Sequence, residues 1–128
     1  MKRLFAVFLS AFFLAGCSAT PENVSYRQIS MTEAIAMMEK ESGYIILDVR
    51  TKEEFAQKHI PGAINIPNEA IGAAEIPELP NKDQMILVYC RSGNRSKQAS
   101  EKLAALGYTN VVEFGGIHDW PGETVTEK

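Results

Sequence analysis

Apolar and polar positions alternate along this chain in blocks whose lengths switch from strand-like to helix-like and back. Tyr44-Ile45-Ile46-Leu47-Asp48-Val49 is an apolar run of strand length, and Met85 to Tyr89 and Val111-Val112-Glu113-Phe114 read the same way. Tyr26 to Ile29 and Ala63 to Ile66 are shorter candidates. Ser30-Met31-Thr32-Glu33 has the spacing of a capping box and opens an apolar-periodic helix to about Lys40, which Gly43 breaks. Thr51-Lys52-Glu53-Glu54 repeats the device and starts a helix to about Lys58. Pro67 to Ala74 reads as a short helix, and Pro77, Pro80 and Asn81 mark a loop. A helix over Arg95 to Leu106 stops at Gly107. Gly115-Gly116 reads as a turn into a last short helix near His118 to Trp120. Strands alternating with helices predict an α/β fold, a parallel β-sheet core flanked by helices on both faces.

The N-terminus breaks this alternation. Lys2 and Arg3 are followed by Leu4 to Ala15, which carries no charge. That is a signal-peptide pattern, and its apolar part is far short of the ~20 residues a membrane-crossing helix needs. It ends Leu14-Ala15-Gly16-Cys17, which resembles the lipobox of bacterial lipoproteins. The resemblance implies cleavage before Cys17 and lipid on that cysteine; the alternative is a soluble secreted protein cut near Ala19. The expected organisation is a signal peptide over residues 1–16, a lipidated tether over 17–25, one domain over 26–122 and a C-terminal tail over 123–128. By the same resemblance Ser18, standing where an Asp tends to retain Gram-negative lipoproteins at the inner membrane, points to the outer membrane, facing the periplasm.

Loss of the first 16 residues removes two basic residues and no acidic one. Lys plus Arg falls from 13 to 11 against 16 Asp plus Glu, and the net charge from −3 to −5. Nucleic acid is therefore not an expected partner. The chain has two cysteines. With Cys17 lipidated, Cys90 has no partner in its own chain, and an exported protein that keeps a lone thiol needs a reason for it.

The surroundings of Cys90 supply one. Tyr89-Cys90-Arg91-Ser92-Gly93-Asn94-Arg95-Ser96 links an apolar strand to a helix. Ligands of an open parallel sheet sit beyond the carboxyl ends of its strands, where Cys90 falls. Backbone N–H groups of the following turn and helix start form a concave anion site, and Gly93 lets the chain curl there. Hydrogen bonds to a charged group are worth about 1.5–3 kcal/mol each, a helix terminus about 0.3–1 kcal/mol, so the amides and one arginine carry most of the pull on a negative sulfur.

Four segments together resemble the rhodanese-like sulfurtransferases. They are Leu47-Asp48-Val49-Arg50 with Glu54-Phe55, His59-Ile60-Pro61-Gly62-Ala63, Cys90 to Ser96, and Gly115-Gly116-Ile117-His118-Asp119-Trp120. The resemblance covers about Tyr26 to Pro121. Lys58 departs from it: the family often has Gly there, suited to a left-handed helix stop, so a different local geometry is expected. The resemblance implies that Cys90 takes a sulfane sulfur from a small anionic donor such as thiosulfate and passes it from a persulfide to a thiol or to cyanide, with no cofactor. Four residues separate Cys90 from Arg95; phosphatases and arsenate reductases of related fold have one more, giving the longer ring of amides a tetrahedral anion needs. A non-catalytic persulfide carrier or binding module of the cell envelope is the other alternative.

Arg95, at the helix start, is expected to touch substrate or persulfide, with Arg91, Ser92, Gly93, Asn94 and Ser96 completing the binding loop. Asp48 and Arg50 are expected to form a structural ion pair, with Glu54 as a candidate third member. His59 is expected to support the site by hydrogen bonding at a turn, and Trp120 to pack in the core or wall the pocket. His59 and His118 are the only histidines and stand far apart, so no metal site is expected.

Overall fold

A computed structural model describes residues 25–72 and 74–127. The signal peptide, Cys17 and the tether up to residue 24 lie outside the described residues.

Five parallel strands form one sheet: β1 (Arg27–Gln28), β2 (Ile45–Asp48), β3 (Ile64–Asn65), β4 (Ile86–Cys90) and β5 (Val111–Gly116). Their spatial order is β1-β5-β4-β2-β3, which puts β4 at the centre. Three helices connect them, α1 (Met31–Lys40), α2 (Lys52–Gln57) and α3 (Asn94–Ala105). Both capping boxes form: Ser30 Oγ accepts from Glu33 N–H and Thr51 Oγ1 from Glu54 N–H, while each Glu carboxylate accepts from the capping residue's amide.

The strands are buried on both faces, as a parallel sheet requires. On one side Leu47, Val88 and Val111 pack with Ala99 and Leu103 of α3 and with Ile66, Ile71, Ile76 and Leu79. On the other, Ile46, Leu87, Tyr89, Val112 and Phe114 pack with Ala34 of α1 and with Phe55 of α2. A fully buried Leu, Ile or Val side chain contributes about 1.5–3 kcal/mol, and this two-sided core holds the sheet without a disulfide among the described residues.

Two sequence expectations change. The helix over Pro67 to Ala74 is only a single 3-10 turn, Asn68–Ala70. Ile66, Ile71, Ile76 and Leu79 turn inward one by one as an irregular cover over the α3 side of the core. Gly115-Gly116 is not a turn leaving the sheet: β5 runs on to Gly116, which pairs with Cys90 across an irregularity in the β4–β5 ladder. The tail is docked on the domain: His59 and Val125 exchange backbone hydrogen bonds at 2.9 Å each way, and Glu127 N–H donates to Ala56 O at 2.9 Å.

Candidate active site

Cys90 is the last residue of β4 and is 1% exposed. The chain then turns through Arg91, Ser92 and Gly93 into α3. Gly93 is the N-cap, with φ 115°, a left-handed conformation that a side chain resists. This turn aims the Gly93 N–H at Cys90 Sγ, 3.0 Å away. The amides of Asn94, Arg95 and Ser96 follow in the first turn of α3, where no intrahelical acceptor exists.

The loop rests on β5. A Cβ on Gly116 would overlap the Arg91 carbonyl and the Ser92 nitrogen, so only glycine allows this approach. His118 N–H donates to Arg91 O at 3.3 Å, which fastens the loop to the 3-10 turn Ile117–Asp119.

Ser96, fully buried, hydrogen-bonds with the sulfur as Gly93 does. Its Oγ lies 3.4 Å from Cys90 Sγ and 2.5 Å from Glu113 Oε2. Glu113, 2% exposed on β5, also accepts from Gly115 N–H at 2.9 Å. Sequence reasoning gave Ser96 a place in the loop and gave Glu113 none. The one signal was an acidic residue inside an apolar strand.

Arg95 is paired with Glu54. Its guanidinium forms two bonds to Glu54, Nη1 to Oε1 at 2.8 Å and Nη2 to Oε2 at 3.1 Å. The pair raises Arg95 above the ordinary arginine range, with the charge on Cys90 a smaller contribution. It holds the Glu54 carboxyl at about 2, against an ordinary 4.5.

Glu54 is thus not the third member of the Asp48–Arg50 pair. Arg50 grips Asp48 through Nε at 3.0 Å and Nη2 at 2.7 Å, both side chains buried, and Nη2 also donates to Lys58 O at 2.6 Å. Lys58 ends α2 with φ −170° and ψ 150°, extended backbone that any residue adopts, so no glycine is needed. His59 Nδ1 lies 2.8 Å from Phe55 O, and its ring stacks on Phe55 at 3.7 Å between centroids. Ile60 N–H donates to the Tyr89 hydroxyl at 3.1 Å, and burial pushes that phenol well up. These contacts hold the turn from Lys58 to Ile60 against the sheet.

A cavity of about 390 Å³ opens beside the loop, walled by Arg50, Glu54, Lys58, Arg91, His118 and the half-buried Trp120 among others. Cys90 is not among its lining residues; Arg91, the next residue, is. Arg50 is committed to Asp48 and Glu54 to Arg95, while Lys58 and Arg91 form no ion pair among the described residues. An anion entering here meets uncommitted positive charge. Among the described residues no cluster of three or more His, Cys, Asp or Glu could hold a metal ion.

A parallel sheet with a buried thiol under a strand-to-helix loop defines a class of fold and site, and comparison with known proteins gives it a family. The model of the rhodanese-like domain matches residues 30–123, and the chain belongs to that family. It is 41% identical over 73 residues to the thiosulfate sulfurtransferase PspE of Escherichia coli K12, covering 57% of this chain and 70% of PspE. It is 38% identical over 100 residues to the adenylyltransferase and sulfurtransferase uba4 of Ogataea parapolymorpha, covering 77% of this chain but only 23% of that much longer protein. Among solved structures, an E. coli rhodanese described with anions matches with a TM-score of 0.60 and 37% identity, over 65% of this chain and 98% of that one.

Proposed function

We propose that this protein is a sulfurtransferase that moves a sulfane sulfur from thiosulfate to a thiophilic acceptor through a persulfide on Cys90. The observation that carries the reading is the placing of the Cys90 sulfur, buried at the start of α3 with the Gly93 amide directed at it. The kinship with PspE, named for thiosulfate, supports the donor, and the anions of the matched E. coli rhodanese support an anionic one.

In the first step the Cys90 thiolate attacks the outer sulfur of thiosulfate. A new S–S bond forms, the S–S bond of the donor breaks, and its electron pair leaves with sulfite. Cys90 is left as a persulfide whose negative charge sits on the outer sulfur. An acceptor thiolate or cyanide then attacks that sulfur and returns Cys90 as thiolate. Splitting the transfer into two displacements is covalent catalysis. Loop amides and Arg91 offset the charge throughout. Every electron pair comes from donor, acceptor or Cys90, and no cofactor takes part.

The proposal includes a location. Leu14-Ala15-Gly16-Cys17 supports lipid anchoring at Cys17, with the domain facing the periplasm from the outer membrane.

Mass spectrometry after mixing with thiosulfate tests the chemistry. The expected result is a gain of one sulfur on Cys90, absent from Cys90→Ser, with steady thiocyanate production when cyanide is added. Loading without turnover would make the protein a persulfide carrier. No loading on a folded chain would sink the reading.

A further inference from the structure

A buried carboxylate stands behind the sulfur, and the sulfur transfer described above does not use it. Glu113 is 2% exposed and forms no ion pair among the described residues. Its Oε2 accepts from Ser96 Oγ at 2.5 Å and from Gly115 N–H at 2.9 Å; its Oε1 accepts from Gln28 Nε2 at 3.4 Å. Ser96 Oγ stands between Glu113 and Cys90 Sγ, 3.4 Å from the sulfur.

A serine hydroxyl has one proton to give. Around Ser96 Oγ the acceptors are Glu113 Oε2, Gly93 O at 2.9 Å and Gly115 O at 3.4 Å. A carboxylate oxygen at the shortest distance takes that proton. Ser96 then turns lone pairs toward Cys90. It can accept from a thiol, but it has nothing to donate to an anionic sulfur. The side of the sulfur that faces Ser96 is therefore electron-rich, while the Gly93 amide donates to the same sulfur.

We propose that Glu113 is a positioning residue for sulfur loading. Acting through Ser96, it drives negative charge off Cys90 Sγ and onto the outer sulfur of the persulfide. The inference rests on the reading of Cys90 as the sulfur-carrying thiol. Like charges a few ångströms apart disfavour one another's charged forms. When the thiolate attacks, its charge passes to an atom about 2 Å farther out, the length of an S–S bond. Glu113 therefore opposes the thiolate more than the persulfide, and loading relieves the repulsion.

Few other ionisable groups face this floor. On α3, Arg95 feels the charge on Cys90 but is bound to Glu54. Asp48 of β2 is matched by Arg50. Tyr26, just before β1, has its phenol raised first by burial and then by Glu101 of α3 and by Glu113 itself. Arg91 opens to the cavity.

The test follows alkylation of Cys90 by iodoacetamide against pH in the parent chain and in Glu113→Gln. The glutamine keeps an acceptor for Ser96 and Gly115 and loses the charge. The expected result is half-maximal alkylation at lower pH, with reaction below the parent midpoint about tenfold faster. Melting should stay near the parent, and above the thiol midpoint the equilibrium of thiosulfate loading against added sulfite should fall back, by less than the change in alkylation because the outer sulfur still feels part of the same charge. Glu113→Leu, neutral and of similar size, removes the carboxylate while Ser96 keeps Gly93 O as an acceptor at 2.9 Å, and should lower the midpoint to a similar extent; it decides the matter if Glu113→Gln does not fold. An unchanged or raised midpoint overturns the proposal, and a large loss of stability with a parent-like titration would make Glu113 a strut between strands and helix. Alkylation needs no sulfur donor. A parent chain that titrates as expected but takes no sulfur from thiosulfate would refute the sulfurtransferase reading by a separate result.

Discussion

Arg95 and Glu54, 41 residues apart in sequence, meet as a two-bond ion pair at the edge of the cavity. The same carboxylate oxygen that takes Arg95 Nη1 also accepts from Thr51 N–H at 2.9 Å, so one glutamate closes the capping box of α2 and ties that helix to the first turn of α3. The loop that holds the thiol is thus braced on its outer side by α2 and on its inner side by β5.

The brace should show itself in acid. Arg95 first, and then Thr51, hold the Glu54 carboxyl at about 2 when folded, below its ordinary 4.5. A group depressed by folding contributes its full stability above the unfolded value, here about 4.5, and loses it as pH falls toward 2. Glu54 is about a quarter exposed, so solvent screening cuts the effect to about 1–2 kcal/mol. Urea unfolding at pH 5 and pH 2.5 should show that Glu54→Gln costs stability at the higher pH and little at the lower. A parent–variant difference that does not change with pH would remove the pair from the account.

Arg95 separates bracing from anion handling. Arg95→Ala removes the brace and a nearby positive charge together and should lower thiosulfate turnover about tenfold. Arg95→Lys should recover part of it, since an ammonium cannot reproduce the planar fork. Glu54→Gln breaks the brace and leaves the arginine free. If its turnover stays near the parent while Arg95→Ala is slow, the arginine acts on the anion. Equal losses in both would mean that the brace alone matters.

Gly116→Ala places a methyl group on the Arg91 carbonyl. The obstacle is backbone and cannot rotate away, so the cost should reach the upper end of overpacking, about 3 kcal/mol. Because the added group moves the loop, Cys90, nearly sealed in the parent, should react faster with a neutral alkylating reagent. Loss of stability with unchanged thiol reactivity would show that the strain is absorbed in β5.

At the N-terminus, Cys17→Ala should leave uncleaved precursor, seen as a heavier band on a gel and as loss of labelling with a radioactive fatty acid. A normally processed, soluble product would overturn the lipid anchor.

The elements visible in the sequence are those whose determinants are local. Ser30 with Glu33 and Thr51 with Glu54 lie one helical turn apart, and both capping boxes form as read. The strand ending at Cys90 and the loop after it follow from a contiguous apolar run and one glycine. What escaped depends on contacts across the fold. Pro67 to Ala74 looks helical by composition, but its isoleucines serve the core irregularly and leave one 3-10 turn. The pairing of Arg95 with Glu54, 41 residues away, also could not be read from the sequence. Glu113 stands out only as one acidic residue in an apolar strand; its role depends on Ser96 and Gln28, 17 and 85 residues away.

The seat of the loop on Gly116 also bears on how such a site can change over generations. Arg91 and Ser92 occupy the space where a side chain on β5 would stand. A lengthened loop, such as one built to surround a larger tetrahedral anion, would have to lift off that strand or find a different strand beneath it. Loop and strand are therefore fitted to each other in this chain. Grafting a foreign loop into this chain should fail unless residues 115–116 travel with it, and a chain that has lost the glycine should be read as one that has already begun to part with the chemistry.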